Sequence, residues 1–150
     1  MIRIALVEDD RSYREELMRF LARYERESGE RFNITTFSDG DEIVENYSCD
    51  YDIILMDIVM KYMNGMDAAE RIRAQDSEVV IIFITNTPQY AMKGYLVDAL
   101  DYVLKPVTYF SFSQRIDRAL ARMKKRTKRF LSVACKGGLM KLDVSQITYV

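Results

Sequence analysis

Short aliphatic runs alternate along this chain with longer stretches in which apolar residues recur every third or fourth position. Residues 2–7, 32–36, 53–56, 79–84 and 102–104 predict strands. Four of these runs are apolar almost throughout, as strands covered on both faces of a parallel sheet must be. Between them the spacing turns helical. Tyr13, Leu17, Phe20, Leu21 and Tyr24 fall on one stripe of a first helix, and Phe112, Ile116, Leu120 and Met123 on one stripe of a last helix over roughly 110–128. Start signals agree: Asp10 caps the first helix, Asp39 with Glu42 resembles a capping box, and Thr87-Pro88 reads as an N-cap and first helical residue. Asn64-Gly65 marks a turn ahead of a helix over 66–74. Five successive βα units predict an α/β fold built on a five-stranded, doubly wound parallel sheet.

The tail breaks that alternation. Residues 130–135, the Lys136-Gly137-Gly138 turn and residues 139–142 read as a β-hairpin, and residues 146–150 begin another apolar stretch. A lone hairpin is marginal in water, so the tail is expected to open a further domain that is cut short. At 150 residues the chain has the size of one ordinary domain with a short appendage. Its net charge of −1 conceals an asymmetry. Residues 1–113 carry 12 Lys and Arg against 21 Asp and Glu, whereas residues 114–129 carry eight against one. Basic segments of this kind often flank nucleic-acid-binding modules, although a solvated helix face leading into a linker accounts for the charge at least as well.

Composition removes several classes of chemistry. There is no histidine, which excludes Ser-His-Asp and Cys-His catalysis. Cys49 and Cys135 lack a CxxC spacing and leave no structural zinc site; they suit free thiols in a reducing cytoplasm. No apolar run reaches the ~20 residues that span a bilayer, and the N-terminus lacks a signal-peptide pattern. A cytoplasmic protein without membrane partners is expected. Neither a GxxxxGK[ST] loop nor a GxGxxG turn is present, which disfavours nucleotide binding.

Polar residues stand where a parallel sheet would use them. Ligands bind beyond the carboxyl ends of such strands. Here the first strand runs into Glu8-Asp9-Asp10, the third into Asp57, the fourth into Thr85 and the fifth into Lys105. Clustered carboxylates repel one another unless a cation neutralises them, and Mg²⁺ suits such oxygen ligands. A lysine counters a phosphoryl charge, and a threonine hydrogen-bonds a phosphoryl oxygen. Asp57 is the candidate nucleophile, since a carboxylate can form an acyl phosphate. Singly, each residue has an ordinary explanation: helix capping for Asp10, a loop hydroxyl for Thr85, a surface charge for Lys105. Four strand ends of matched chemistry are a stronger signal.

Together these residues resemble a bacterial response-regulator receiver domain. The likeness rests on Val7-Glu8-Asp9-Asp10, Leu55-Met56-Asp57-Ile58 with Met60 and Gly65, Ile84-Thr85, and Asp101-Tyr102-Val103-Leu104-Lys105-Pro106, in order over about residues 1–126. It implies a flavodoxin-like fold in which Asp57 accepts a phosphoryl group from a sensor histidine kinase. Glu8, Asp9, Asp57 and the Val59 backbone carbonyl would hold Mg²⁺ or Mn²⁺. Thr85 and Lys105 would engage the phosphoryl group, Tyr102 would be the switch aromatic, and the Lys105–Pro106 bond would be cis. The only reactions implied are phosphorylation and dephosphorylation of the chain itself, through Asp57, Lys105 and Thr85. Phosphorylation would bias a two-state equilibrium read at the face of the fourth helix, fifth strand and fifth helix, roughly residues 88–122. Tyr90, Met92, Lys93, Tyr95, Asp98, Arg115 and Arg122 are candidates for that face, through which a homodimer is expected.

A narrower likeness lies in Tyr90-Ala91-Met92-Lys93-Gly94-Tyr95, Val97-Asp98-Ala99-Leu100-Asp101-Tyr102 and Tyr109-Phe110, which resemble regulators with a C-terminal LytTR-type DNA-binding domain. It implies a receiver over residues 1–126, then a basic linker and the first strands of a truncated DNA-binding domain over 127–150. The whole regulator would control transcription, with DNA bound only by the missing part. The chain departs from the family at Lys61, where proline is usual, and at Asn86, where a smaller residue is common. Val59 and Thr87 occupy positions that tune phosphoryl lifetime in the family, and the apolar Val59 predicts slow hydrolysis. A Mg²⁺-dependent phosphohydrolase is disfavoured, because the second aspartate such enzymes place two residues after the nucleophile is Val59 here. The alternative function is a phosphorylation-independent interaction module of the same fold.

Overall fold

The computed structural model of the chain describes residues 1–88 and 96–129. Five strands, β1 (Ile2–Val7), β2 (Phe32–Phe37), β3 (Ile53–Met56), β4 (Val80–Thr85) and β5 (Asp101–Leu104), form one sheet in the order β2-β1-β3-β4-β5. Every pairing is parallel, with Ile4 opposite Ile53, Ile53 opposite Val80 and Met56 opposite Phe83. All five carboxyl ends therefore share one edge. Four helices complete the described residues: α1 (Arg11–Ser28), α2 (Gly40–Glu45), α3 (Gly65–Arg73) and α4 (Tyr109–Arg129).

The near-continuous apolarity of β1, β3 and β4 follows from two cores. Side chains alternate across a strand. Ile4, Leu6, Ile53, Leu55, Ile82 and Ile84 meet Leu17 and Leu21 of α1 and Phe112 and Ile116 of α4 on one face. Ala5, Val7, Ile54, Met56, Ile81 and Phe83 meet Ile43 of α2 and Ala68, Ala69 and Ile72 of α3 on the other. Edge strand β5 has only Val103 buried.

The expected doubly wound sheet is present, with strand ends shifted by at most one residue. Asp10 accepts hydrogen bonds from the Ser12 and Tyr13 N–H groups, and Asn64 accepts one from Asp67 N–H, so both cap their helices. The Asp39–Glu42 capping box is not formed as expected. The Glu42 carboxylate accepts from Ser38 N–H at 2.7 Å, one residue short of the cap. The fourth helix expected after Thr87-Pro88, with Tyr90, Met92, Lys93 and Tyr95 of the output face, lies outside the described residues, as do the 130–150 hairpin and Cys135. Cys49 is not the free thiol expected of it.

Candidate functional site

The shared carboxyl edge brings four ionisable groups together. Glu8 follows β1 and Asp57 follows β3, and both are buried at 1% and 6% exposure. Lys105 follows β5, and its ammonium reaches back to Glu8 Oε1 at 2.9 Å and Asp57 Oδ2 at 3.2 Å. Asp9 is exposed, yet its ligand oxygen and those of Glu8 and Asp57 all lie within 4.8 Å of one another.

Local backbone fixes these side chains. Asp57 Oδ1 accepts its neighbour's amide, Ile58 N–H, at 2.7 Å, leaving Oδ2 to Lys105. Glu8 Oε2 accepts Asp10 N–H at 3.1 Å, and the Arg14 guanidinium donates to the Glu8 carbonyl at 2.6 Å. The Tyr13 ring, expected on the apolar stripe of α1, lies 4.1 Å from Lys105 Nζ and offers the ammonium its face.

Electrostatics follow from burial and crowding. Burial pushes the Glu8 carboxyl up to about 7; the Lys105 hydrogen bond opposes that rise and the Asp57 charge adds to it. Asp9 is also raised, by burial first and then by Asp57. Burial alone would lower the Lys105 ammonium, but its contacts with Glu8 and Asp57 outweigh burial and leave it raised. A set of carboxylates that resists ionising is what a divalent cation relieves, and an all-oxygen donor set suits Mg²⁺. The residues fit the metal that the sequence implied.

Thr85 is completely buried at the end of β4. Its hydroxyl oxygen accepts Thr87 N–H at 3.3 Å, and the Tyr102 hydroxyl donates to the Thr87 carbonyl. Both expected switch residues are thus tied to one loop residue. The Tyr102 ring is half-buried against Phe83. The Lys105–Pro106 bond is cis. Val59 is 53% exposed on the loop after Asp57, and Asn86 is also exposed.

Two residues of this region escape the sequence reading. Tyr13 looks like any other member of an apolar helical stripe. Asp39 looks like a helix cap, and the structure adds a second duty. Its carboxylate accepts from Gly40 N–H at 2.8 Å, and also from Tyr62 N–H at 3.0 Å and Met63 N–H at 2.8 Å. No sequence signal marks that long-range pairing.

A profile of the response regulator receiver domain matches residues 4–117. The chain is 31% identical to the sensory transduction protein LytT of Oceanobacillus iheyensis, over 99% of this chain and 62% of that protein. It is 34% identical to LytT of Bacillus subtilis over 83% of this chain and 49% of that protein. The chain thus spans about half to three fifths of the length of these curated relatives. Among solved structures, the response regulator TrrA of Thermotoga maritima in complex with Mg²⁺-BeF superposes with a TM-score of 0.68 at 26% identity. That match covers 79% of this chain and 99% of TrrA. No helix among the described residues is long and apolar enough to cross a membrane. Built on a sheet whose carboxyl edge gathers Glu8, Asp9, Asp57 and Lys105, the chain belongs to the response regulator receiver domain family.

Proposed function

We propose that this chain is the phosphoacceptor module of a two-component regulator, with Asp57 as the accepting residue. The observation that carries the reading is the Lys105 ammonium, held between two buried carboxylates beside an exposed third. A buried lysine spanning Glu8 and Asp57 serves a site whose negative charge is about to grow. An Asp57 oxygen attacks the phosphorus of a phosphohistidine on the partner kinase, the P–N bond breaks, and the imidazole leaves with a proton. The product is an acyl phosphate on Asp57. Glu8, Asp9, Asp57 and the Val59 carbonyl would hold Mg²⁺, which supplies charge neutralisation at the carboxylates and phosphoryl oxygens. Lys105 pairs with the phosphoryl group, and Thr85 donates to it once its hydroxyl turns from the Thr87 loop. Tyr102, bound to the same loop residue, follows that movement.

The chain acts on no separate substrate in this reading. In the whole protein the phosphorylated module pairs through its output face and controls a C-terminal DNA-binding domain of the LytTR type. The basic end of α4 leads toward that domain. The likeness to LytT supports this output.

Intact-mass measurement after incubation with acetyl phosphate and Mg²⁺ tests the reading. The expected result is a gain of one phosphoryl group, lost in Asp57→Asn and with a chelator. A folded, Mg²⁺-binding protein that gains nothing would instead support a phosphorylation-independent interaction module.

A further inference from the structure

The loop joining β3 to α3 carries Val59, whose carbonyl the proposed metal site requires, and none of its residues from 58 to 64 is a proline that would stiffen it. Something else must hold it. Two of its amides, those of Tyr62 and Met63, point at the two carboxylate oxygens of Asp39, at 3.0 and 2.8 Å. Asp39 belongs to the turn between β2 and α2, and its side chain is buried at 3% exposure. Its third bond, from Gly40 N–H, fixes the carboxylate to the start of α2. The contact is close on both sides: a Cβ on Gly40 would stand 2.6 Å from the Met63 carbonyl oxygen. At the loop's far end, Gly65 N–H donates to the Ile58 carbonyl at 2.7 Å. The segment from Ile58 to Gly65 is therefore closed by one bond at its ends and anchored at its middle by Asp39 alone among the described carboxylates.

Charge-assisted bonds to backbone N–H are among the stronger ones available, and a buried carboxylate with three of them is well satisfied. Asp39 hydrogen-bonds none of the site's own carboxylates and reaches them in two ways, by its charge, which helps to raise Asp9, and by the loop it holds. Serine and asparagine at position 39 remove the charge alike, so a difference between them reads the loop. We infer that Asp39 is a positioning residue for the metal and phosphoryl site, setting the β3–α3 loop so that the Val59 carbonyl is presented to a cation held by Glu8, Asp9 and Asp57. The inference rests on the phosphoacceptor reading.

The test is direct Mg²⁺ binding to the full chain by isothermal titration calorimetry, beside the Mg²⁺ dependence of Asp57 phosphorylation by acetyl phosphate, with Asp39→Ser and Asp39→Asn; the dissociation constant should rise with the half-saturation. Serine keeps a cap acceptor for Gly40 N–H and removes the oxygens used by the loop. Asparagine keeps Oδ1 for Gly40 and Met63 and loses the acceptor for Tyr62. The Mg²⁺ concentration for half-maximal rate is expected to rise roughly tenfold in the serine variant and about threefold in the asparagine variant, by analogy with groups that orient metal ligands. The rate at saturating Mg²⁺ should return close to that of the parent, a split that a loss of folded protein would not produce. Circular dichroism confirms folding, and if the serine variant does not fold, the asparagine variant decides. An unchanged half-saturation in a folded variant overturns the inference. Failure of the parent chain to take up phosphoryl overturns the phosphoacceptor reading instead, so the two failures are separable.

Discussion

Gly65 shows how one missing side chain shapes this site. A Cβ at that position would lie 2.0 Å from the Asp57 carbonyl oxygen and 3.0 Å from the Ile58 Cα, both backbone atoms that no rotamer change can move aside. Gly65→Ala must therefore displace either the start of α3 or the backbone of Asp57 itself. Overpacking of this kind costs typically ~1–3 kcal/mol, and a contact so short belongs at the upper end. Urea denaturation should show a loss of about 3 kcal/mol, with a fall in the acetyl phosphate reaction of the protein that remains folded. A variant as stable as its parent would mean that the loop has room to yield. At this scale the sequence is informative where residues of matched chemistry recur at one sheet edge: Glu8, Asp9, Asp57 and Lys105 each have an ordinary use singly, and are legible as a set because they follow three strands of that sheet. Tyr13 and Asp39 are not legible, because a ring on a helical stripe and an acid at a helix start each have a common local use. Their contacts with Lys105 and with the Tyr62–Met63 amides arise only when distant segments meet.

Between elements, the connection into β5 depends on an arginine from α3. Arg73 Nε donates to the Val97 carbonyl at 2.7 Å, and its two terminal nitrogens reach the Asp98 and Asp76 carbonyls at 3.2 Å. One guanidinium thus joins the C-terminal end of α3 to the turn before β5. That turn includes Asp98 in the left-handed region at φ 52°, a conformation that a non-glycine residue holds only when its surroundings insist. Arg73→Met keeps the apolar stem of the side chain and removes the three donors. Hydrogen bonds from charged groups contribute roughly 1.5–3 kcal/mol each and are not additive, so a total loss of about 3 kcal/mol is expected. Equilibrium urea unfolding with an unchanged m-value would establish it. Arg11→Met, which breaks only the exposed pair with Glu15, serves as the comparison and should leave the midpoint where it is. A similar midpoint for both variants would show that the β5 turn holds itself. The described strands and the first and last helices are legible from period and caps, but this clamp is not, since an arginine in the last turn of a helix is already explained by the helix dipole.

For the molecule as a whole, the architecture was legible because each level of the sequence points the same way. Apolar runs on β1, β3 and β4 demand cover on both faces, and the helical stripes of α1 and α4 supply it on one of them. What periodicity does not reveal is the charge balance that the closed sheet creates. Glu8, Asp9 and Asp57 meet Lys105 with a formal charge of −2 in a largely buried edge, and burial first, with the Asp57 charge added to it, raises the Glu8 and Asp9 carboxyls. The fold carries both the burial and the crowding of these carboxylates, so a divalent cation that binds only the folded chain must stabilise it. Linkage gives ~2.7 kcal/mol at a free cation concentration one hundred times the dissociation constant. For a domain of this size that corresponds to a rise in melting temperature of roughly 5–10 °C. Thermal unfolding with increasing Mg²⁺ should show that rise, at constant ionic strength so that general screening does not contribute. Asp9→Asn should shrink it strongly, because the exposed Asp9 is the proposed ligand that Lys105 does not pair with. An Asp9→Asn variant that responds to Mg²⁺ as its parent does would place the cation elsewhere. A parent that does not respond at all would mean that Lys105 already satisfies the carboxylates, leaving this edge balanced without a metal.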